Sequence, residues 1–117
     1  MIKTLSIGAA LLAGGMLVVS LATPVRAEDA KPIFDKNCST CHGPGGKGDG
    51  PAGKMLKPPP ADLGTATKTV ADADVAKVIK EGGKSVGKSA AMPGFKGKLT
   101  DDQIDGLVKY VKGFAGK

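Results

Sequence analysis

Two cysteines and the chain's only histidine lie within five residues of each other, in the segment CSTCH at positions 38–42. Residues three positions apart in a helical turn face the same side, so the sulfur atoms of Cys38 and Cys41 can reach one planar group together. His42 follows the second cysteine directly, and a neutral imidazole nitrogen is a common metal ligand. This short segment therefore constrains what the first helix of the chain must face.

Four kinds of site use two cysteines at this spacing. A zinc site needs three or four protein ligands, and two of the three soft ligands here are adjacent in sequence. A thioredoxin-like redox pair expects a βαβ context, which the sequence lacks, and a disulfide across so short a loop stabilises little. Covalent haem attachment, for which C-x-x-C-H is the pattern, accounts for both the spacing and the histidine. We expect one haem c, joined by two thioethers to Cys38 and Cys41, with His42 as an iron ligand.

The second axial position of the iron has two candidates, Met55 and Met92, because the chain has no other histidine. Met55 lies 13 residues after His42, whereas Met92 lies 50 residues after it, which leaves enough chain to pass round the porphyrin edge. Pro93 also biases Met92 towards an extended backbone, which helps the side chain to point outwards from a loop. We expect Met92 to bind the iron and Met55 to be an ordinary core residue.

The first 27 residues differ from the rest of the chain. Lys3 gives a positive start, residues 5–22 are apolar, and small or β-branched side chains precede Ala27. This pattern predicts a signal peptide over residues 1–27 and a single domain over residues 28–117. An uncleaved membrane anchor is the alternative, because the apolar run is near the lower limit for spanning a bilayer. Both interpretations send the working part out of the cytoplasm, to the periplasm.

The charge balance favours an acidic protein partner over nucleic acid. The chain has 17 basic and 11 acidic residues; two basic residues lie in the predicted leader, which leaves 15 against 11 and a net charge of +4. The lysines are dispersed, residues 28–117 contain no arginine, and an exported protein rarely meets nucleic acid. Only four residues of the whole chain are aromatic, so a domain this small is expected to need a bound cofactor to complete its core.

Three helices are predicted, separated by long loops rich in glycine and proline. The first is expected over about Asp29–Cys41, where apolar residues recur at helical spacing. Segment 57–63, KPPPADL, is expected to be extended because each proline fixes its own φ. The second helix is expected over about Ala71–Glu81, with Thr69 or Asp72 as its cap. Its inner face is formed by Val75, Val78 and Ile79.

The third helix has the clearest pattern. Thr100 and Gln103 are spaced as a capping box, and Leu99 is placed to pack against Ile104. No strand pattern of useful length appears, so the predicted fold class is all-α with two long loops that surround something. The apolar stripe of this third helix consists of Ile104, Leu107, Val108 and Val111.

These features together resemble the class I c-type cytochromes, small exported electron carriers with one haem. The resemblance rests on CSTCH, GPGGKGDGPAG, KPPPADL, MPGF and LTDDQIDGLVKYVKGF, and covers nearly all of residues 28–117. It implies a cytochrome c-like fold in which the first and last helices cross near the haem, through Phe34 and Tyr110 with Leu107 beside them. The lack of tryptophan departs from members that use one near a haem propionate. The resemblance also implies a prolyl carbonyl that orients the ligating histidine, with Pro51, Pro58, Pro59 and Pro60 as candidates.

The resemblance and the ligand set imply a monomeric one-electron carrier that moves electrons between periplasmic redox proteins. A thioether opposite an imidazole favours reduced iron and leaves no open position for substrate, so we expect no enzyme activity. The alternative is a haem subunit, sensor or enzyme whose sixth iron position is open or loosely held. Lysines on both sides of the predicted site are expected to steer acidic partners to it, the alternative being that they only keep a small protein in solution. These are Lys47, Lys54, Lys57, Lys84, Lys88, Lys96 and Lys98.

Overall fold

The computed structural model describes residues 14–15 and 25–117 of the chain. Most of the predicted signal peptide therefore lies outside the described residues. Within the part that is described, no helix is both long enough and apolar enough to cross a membrane.

The described chain is helical, and the predicted all-α class is confirmed. Three single 3₁₀ turns supplement the α-helices, and the pairing of Lys96 with Leu99 is an isolated bridge rather than part of a strand within residues 25–117. The α-helices are α1 (Ala27–Asn37), α2 (Ser39–His42), α3 (Leu63–Ala66), α4 (Asp72–Glu81) and α5 (Asp101–Lys112). The 3₁₀ turns are Gly53–Met55, Lys84–Val86 and Gly113–Gly116.

The first predicted helix is two helices. The backbone leaves helical geometry at Cys38, where φ is −122°, and α2 begins at the next residue. Cys38 joins the two because its N–H donates to the carbonyl of Phe34 at 2.8 Å and its own carbonyl accepts from the N–H of His42 at 2.9 Å. The break could not be predicted from the spacing of apolar residues, because it affects a single residue that keeps its backbone hydrogen bonds.

Helix α4 lies almost where it was predicted, but neither predicted cap is found. Ala71 precedes the helix in an extended conformation and provides no side-chain hydrogen bond, so Thr69 and Asp72 were wrong as caps. Asp72 and Asp74 instead lie in the first turn, where negative charge interacts favourably with the helix dipole. The helix ends at Gly82, whose φ of +83° favours glycine.

Helix α5 confirms its predicted capping box. The Gln103 N–H donates to Thr100 Oγ1 at 3.1 Å, and the Thr100 N–H donates to Gln103 Oε1 at 2.9 Å. The four residues of the predicted apolar stripe are all buried. A reciprocal cap of this kind satisfies two backbone donors that the first turn leaves unpaired.

The segment predicted to be extended ends in a helical turn that the sequence did not reveal. Asp62 accepts hydrogen bonds from the N–H groups of Gly64 at 2.9 Å and Thr65 at 3.4 Å, and so caps α3. A helix of four residues is too short to show a hydrophobic period, which is why only its cap could have signalled it.

The core forms where α1 meets α5. Phe34 has no exposed surface, and its ring centroid lies 5.2 Å from that of Tyr110 and 5.5 Å from that of Phe114. The contact between the aromatics of the first and last helices is therefore as the resemblance implied. Helix α4 packs beside α5, and Lys112 pairs with Asp72 at one end while Lys80 pairs with Asp101 at the other.

Replacement of Phe34 by alanine is expected to lower the free energy of unfolding by about 3–5 kcal/mol, because it removes a fully buried ring that packs against the rings of Tyr110 and Phe114. Guanidinium titration of the holoprotein measures this change. Met55→Ala is the control, since Met55 is 81% exposed and its truncation should change stability by less than about 0.5 kcal/mol. A loss below about 1 kcal/mol in Phe34→Ala would show that the core does not depend on this ring.

Candidate functional site

A large cavity of about 760 Å³ opens between the α1–α2 junction, α4, α5 and the loop after α4. Its volume is in the range of small-molecule and cofactor pockets. All four residues predicted to hold a cofactor contribute to its lining: Cys38, Cys41, His42 and Met92. His42 and Met92, which are 50 positions apart in sequence, thus face the same cavity.

Most of the cavity wall is apolar. The predicted inner face of α4 lines it, as do Phe34, Leu107 and Phe95 from other parts of the fold. Phe95 was not singled out from the sequence, because it lies in a loop without periodicity. Tyr110 does not line the cavity, and it supports the wall through its ring contact with Phe34.

The two cysteines are free thiols, half-buried in the wall. Burial, with a smaller contribution from nearby Cys41, raises the pKa of the Cys38 thiol to about 11. At neutral pH this thiol is protonated and is therefore a poor nucleophile for disulfide exchange. The two sulfurs are not bonded to each other, and the Cys38 thiol lacks the lowered pKa that a thioredoxin-like redox pair would require.

His42 has an unpartnered nitrogen in the site. Its Nδ1 atom is buried and makes no hydrogen bond, and burial lowers the pKa of the imidazole. The lowered pKa favours the neutral ring, which is the form that binds metals. No carbonyl among the candidate prolines accepts from Nδ1, although Pro58, Pro59 and Pro60 line the same cavity.

The loop after α2 forms hydrogen bonds with the backbone of Cys41 and His42. The N–H groups of Gly48 and Gly50 donate to the carbonyls of His42 and Cys41 at 2.8 Å and 3.2 Å. Gly53 approaches so closely that a Cβ there would lie 2.0 Å from the Cys41 carbonyl oxygen. The sequence predicted only an irregular loop here. In the structure, the glycines of this loop allow its backbone to pack closely against the backbone of Cys41 and His42.

The segment that carries Met92 is fixed against the end of α4. The Phe95 N–H donates to the carbonyl of Ile79 at 2.9 Å, and the Lys96 N–H donates to that of Lys80 at 3.0 Å. Met92 is half-buried, whereas Met55 is 81% exposed and does not line the cavity. The expectation that Met55 fills the core was wrong, because the 3₁₀ turn Gly53–Met55 directs its side chain to solvent.

The residues present fit a haem better than an isolated metal ion. Among the described residues, no three His, Cys, Asp or Glu side chains are grouped so as to hold a metal, which gives the zinc alternative no support. A broad apolar space with two thiols, a buried neutral imidazole and a thioether at its wall has the donors that a c-type haem uses. The orphaned Nδ1 atom further indicates that the imidazole environment is completed by a bound group.

Comparison with known proteins gives matches over most of the chain. Residues 25–111 match the family described as cytochrome C oxidase, cbb3-type, subunit III. The chain is 37% identical over 108 residues to cytochrome c6 of Nostoc sp. (strain PCC 7120 / SAG 25.82 / UTEX 2576), with 90% of this chain and 88% of that protein covered. It is 39% identical over 79 residues to cytochrome c6 of Leptolyngbya boryana, with 68% of this chain and 81% of that protein covered.

A longer relative is also similar. The chain is 29% identical over 90 residues to the cbb3-type cytochrome c oxidase subunit CcoP of Azospirillum brasilense. That match covers 77% of this chain but 29% of the subunit, so the similarity is to one part of a larger protein.

Proposed function

Because the chain belongs to the class I c-type cytochromes, we propose that Cys38 and Cys41 tether its haem, and that His42 and Met92 bind the iron. The protein is a c-type haem electron carrier. The observation that supports these residue roles is that all four side chains line one apolar cavity. One haem, held by two thioethers, accounts for both thiols and for the single histidine.

The haem iron supplies one-electron chemistry when the group is bound. The chain's own residues set the conditions for it. The two cysteines fix the position of the group, and His42 presents a neutral imidazole because burial disfavours its protonated form. Met92 would supply the second iron ligand from the loop after α4, and the apolar lining would restrict the access of water, so no iron position would remain for a substrate. The protein then acts as a carrier and not as an enzyme.

Met92→Ala is expected to abolish the weak far-red absorption band that a methionine–iron(III) bond gives in oxidised cytochromes of this family. It should also lower the reduction potential, because a neutral thioether favours reduced iron. Met55→Leu should leave both quantities unchanged, since the Met55 side chain is exposed and away from the cavity. Survival of the band in Met92→Ala, or its loss in Met55→Leu, would overturn the assignment of Met92.

The loop that carries Met92 is positively charged. Between Glu81 and Asp101 the chain carries four lysines and no acidic residue, and Lys88 also lines the cavity. Within the described residues, none of the lysines predicted to steer partners takes part in an ion pair. Exposed, unpaired charge of one sign raises the encounter rate with oppositely charged molecules. The proposed partners are therefore acidic redox proteins that donate and accept single electrons.

Oxidation of the reduced protein by ferricyanide, an anion, is expected to slow by about tenfold as ionic strength rises from low to physiological values. A cationic cobalt(III) complex should show the opposite trend. Replacing Lys84 and Lys88 by glutamine should weaken the salt dependence, whereas the exposed Lys109→Gln, on α5, should not. Equal salt responses for the two oxidants would contradict a positive docking surface.

The place of action proposed for this carrier is the periplasm, after removal of residues 1–27. A free monomer is the first candidate, supported by matches that cover 88% and 81% of the two cytochrome c6 relatives. An electron-entry domain of a larger oxidoreductase is the second, supported by the match to CcoP. Size-exclusion chromatography of the native protein, alone and with periplasmic extract, separates the two candidates.

A further inference from the structure

The loop that carries Met92 closes on one residue, Gly83. The carbonyl of Gly83 accepts hydrogen bonds from the N–H groups of Val86 at 3.2 Å and Lys88 at 2.7 Å. Its own N–H donates to the carbonyl of Met92 at 3.0 Å. Gly83 thus joins the start of the loop, its middle and the proposed iron ligand through three main-chain bonds.

Position 83 requires glycine for space and not for backbone conformation. Its φ of −67° and ψ of −40° are open to every residue. A Cβ at this position, however, would lie 2.1 Å from the carbonyl oxygen of Ser89 and 3.2 Å from the Cβ of Met92. The first of these atoms is backbone, so no side-chain rotation relieves the overlap and the loop itself must move.

The flanks of the loop determine which part moves. On one side, Gly83 continues directly from α4, which packs against α5. On the other, the N–H groups of Phe95 and Lys96 are bound to carbonyls of α4, and the Phe95 side chain is buried. With both flanks fixed, the displacement falls on residues 84–92, and the end of that segment is Met92.

We propose that Gly83 is a positioning residue for the sixth iron ligand, and that its missing side chain keeps that position closed to external ligands. A single methyl group at this site displaces Met92 and gives small molecules access to the iron. This inference rests on the proposed role of Met92. The side chain at position 83 then determines whether the protein is a closed electron carrier or a haem protein that binds external ligands.

Gly83→Ala holoprotein is expected to lose most of the far-red methionine–iron(III) band. Carbon monoxide should bind the reduced form about tenfold more tightly, because apparent affinity scales with the fraction of molecules whose sixth position is open. Gly113→Ala is the matched control, since a Cβ at Gly113 meets nothing within 4 Å and its backbone is also right-handed helical. An intact band and unchanged carbon monoxide affinity in Gly83→Ala would overturn the inference.

A second set of variants separates positioning from a general loss of stability. In a Met92→Ala background, Gly83→Ala should add nothing to carbon monoxide affinity, because the ligand through which it acts is gone. A further increase there would contradict the proposal. An intact band in Met92→Ala would reject Met92 as the iron ligand, and with it the proposed function. Loss of the band in Met92→Ala, together with no effect of Gly83→Ala, would reject only the positioning role of Gly83.

A lengthened loop provides the test if Gly83→Ala does not take up haem. One glycine inserted after Gly87, where a Cβ would meet nothing within 4 Å, loosens the closure without touching α4. This insertion should weaken the far-red band and raise carbon monoxide affinity in otherwise unchanged protein. Insertion without either effect would show that tight closure at Gly83 does not hold Met92 in place.

Discussion

The structure depends on an apolar interior that the chain does not fill with its own side chains. Only four residues of the chain are aromatic, and three of them pack together where α1 meets α5. The remaining apolar surface of α4, α5 and the loops faces a cavity of about 760 Å³. Because burial of such surface is the main source of stability in a small domain, a bound haem is as much a part of this core as Phe34.

Two loops without periodicity hold the chemically important side chains in place at this cavity. Each closes its backbone against a helix end through glycine: the loop after α2 on the carbonyls of Cys41 and His42, and the loop after α4 on Met92. Close main-chain contact fixes the side chains that face the cavity from opposite parts of the chain. A carrier of single electrons benefits from this rigidity, because its ligands then need not move between oxidation states.

Much of this arrangement could be predicted from the sequence, and the failures have identifiable causes. The capping box and apolar stripe of α5 are local and strongly periodic, and the structure agrees with both. A periodic pattern cannot reveal features of one to four residues, such as the break at Cys38, the one-turn helix α3 and the missing cap of α4. Met55 was misjudged because hydrophobic character does not reveal which way a 3₁₀ turn directs a side chain. The place of Phe95 in the cavity wall and the close approach of Gly83 to Ser89 depend on the path of the loop, which no local pattern encodes.

Mass spectrometry of protein matured in a host with haem-attachment machinery shows directly whether a haem is covalently bound to the chain. We expect one haem-sized increment, retained under denaturing conditions, on the proteolytic peptide that contains Cys38 and Cys41. The increment should be absent when both cysteines are replaced by alanine. Protein from the same host that carries no increment on this peptide would show that Cys38 and Cys41 do not hold a haem.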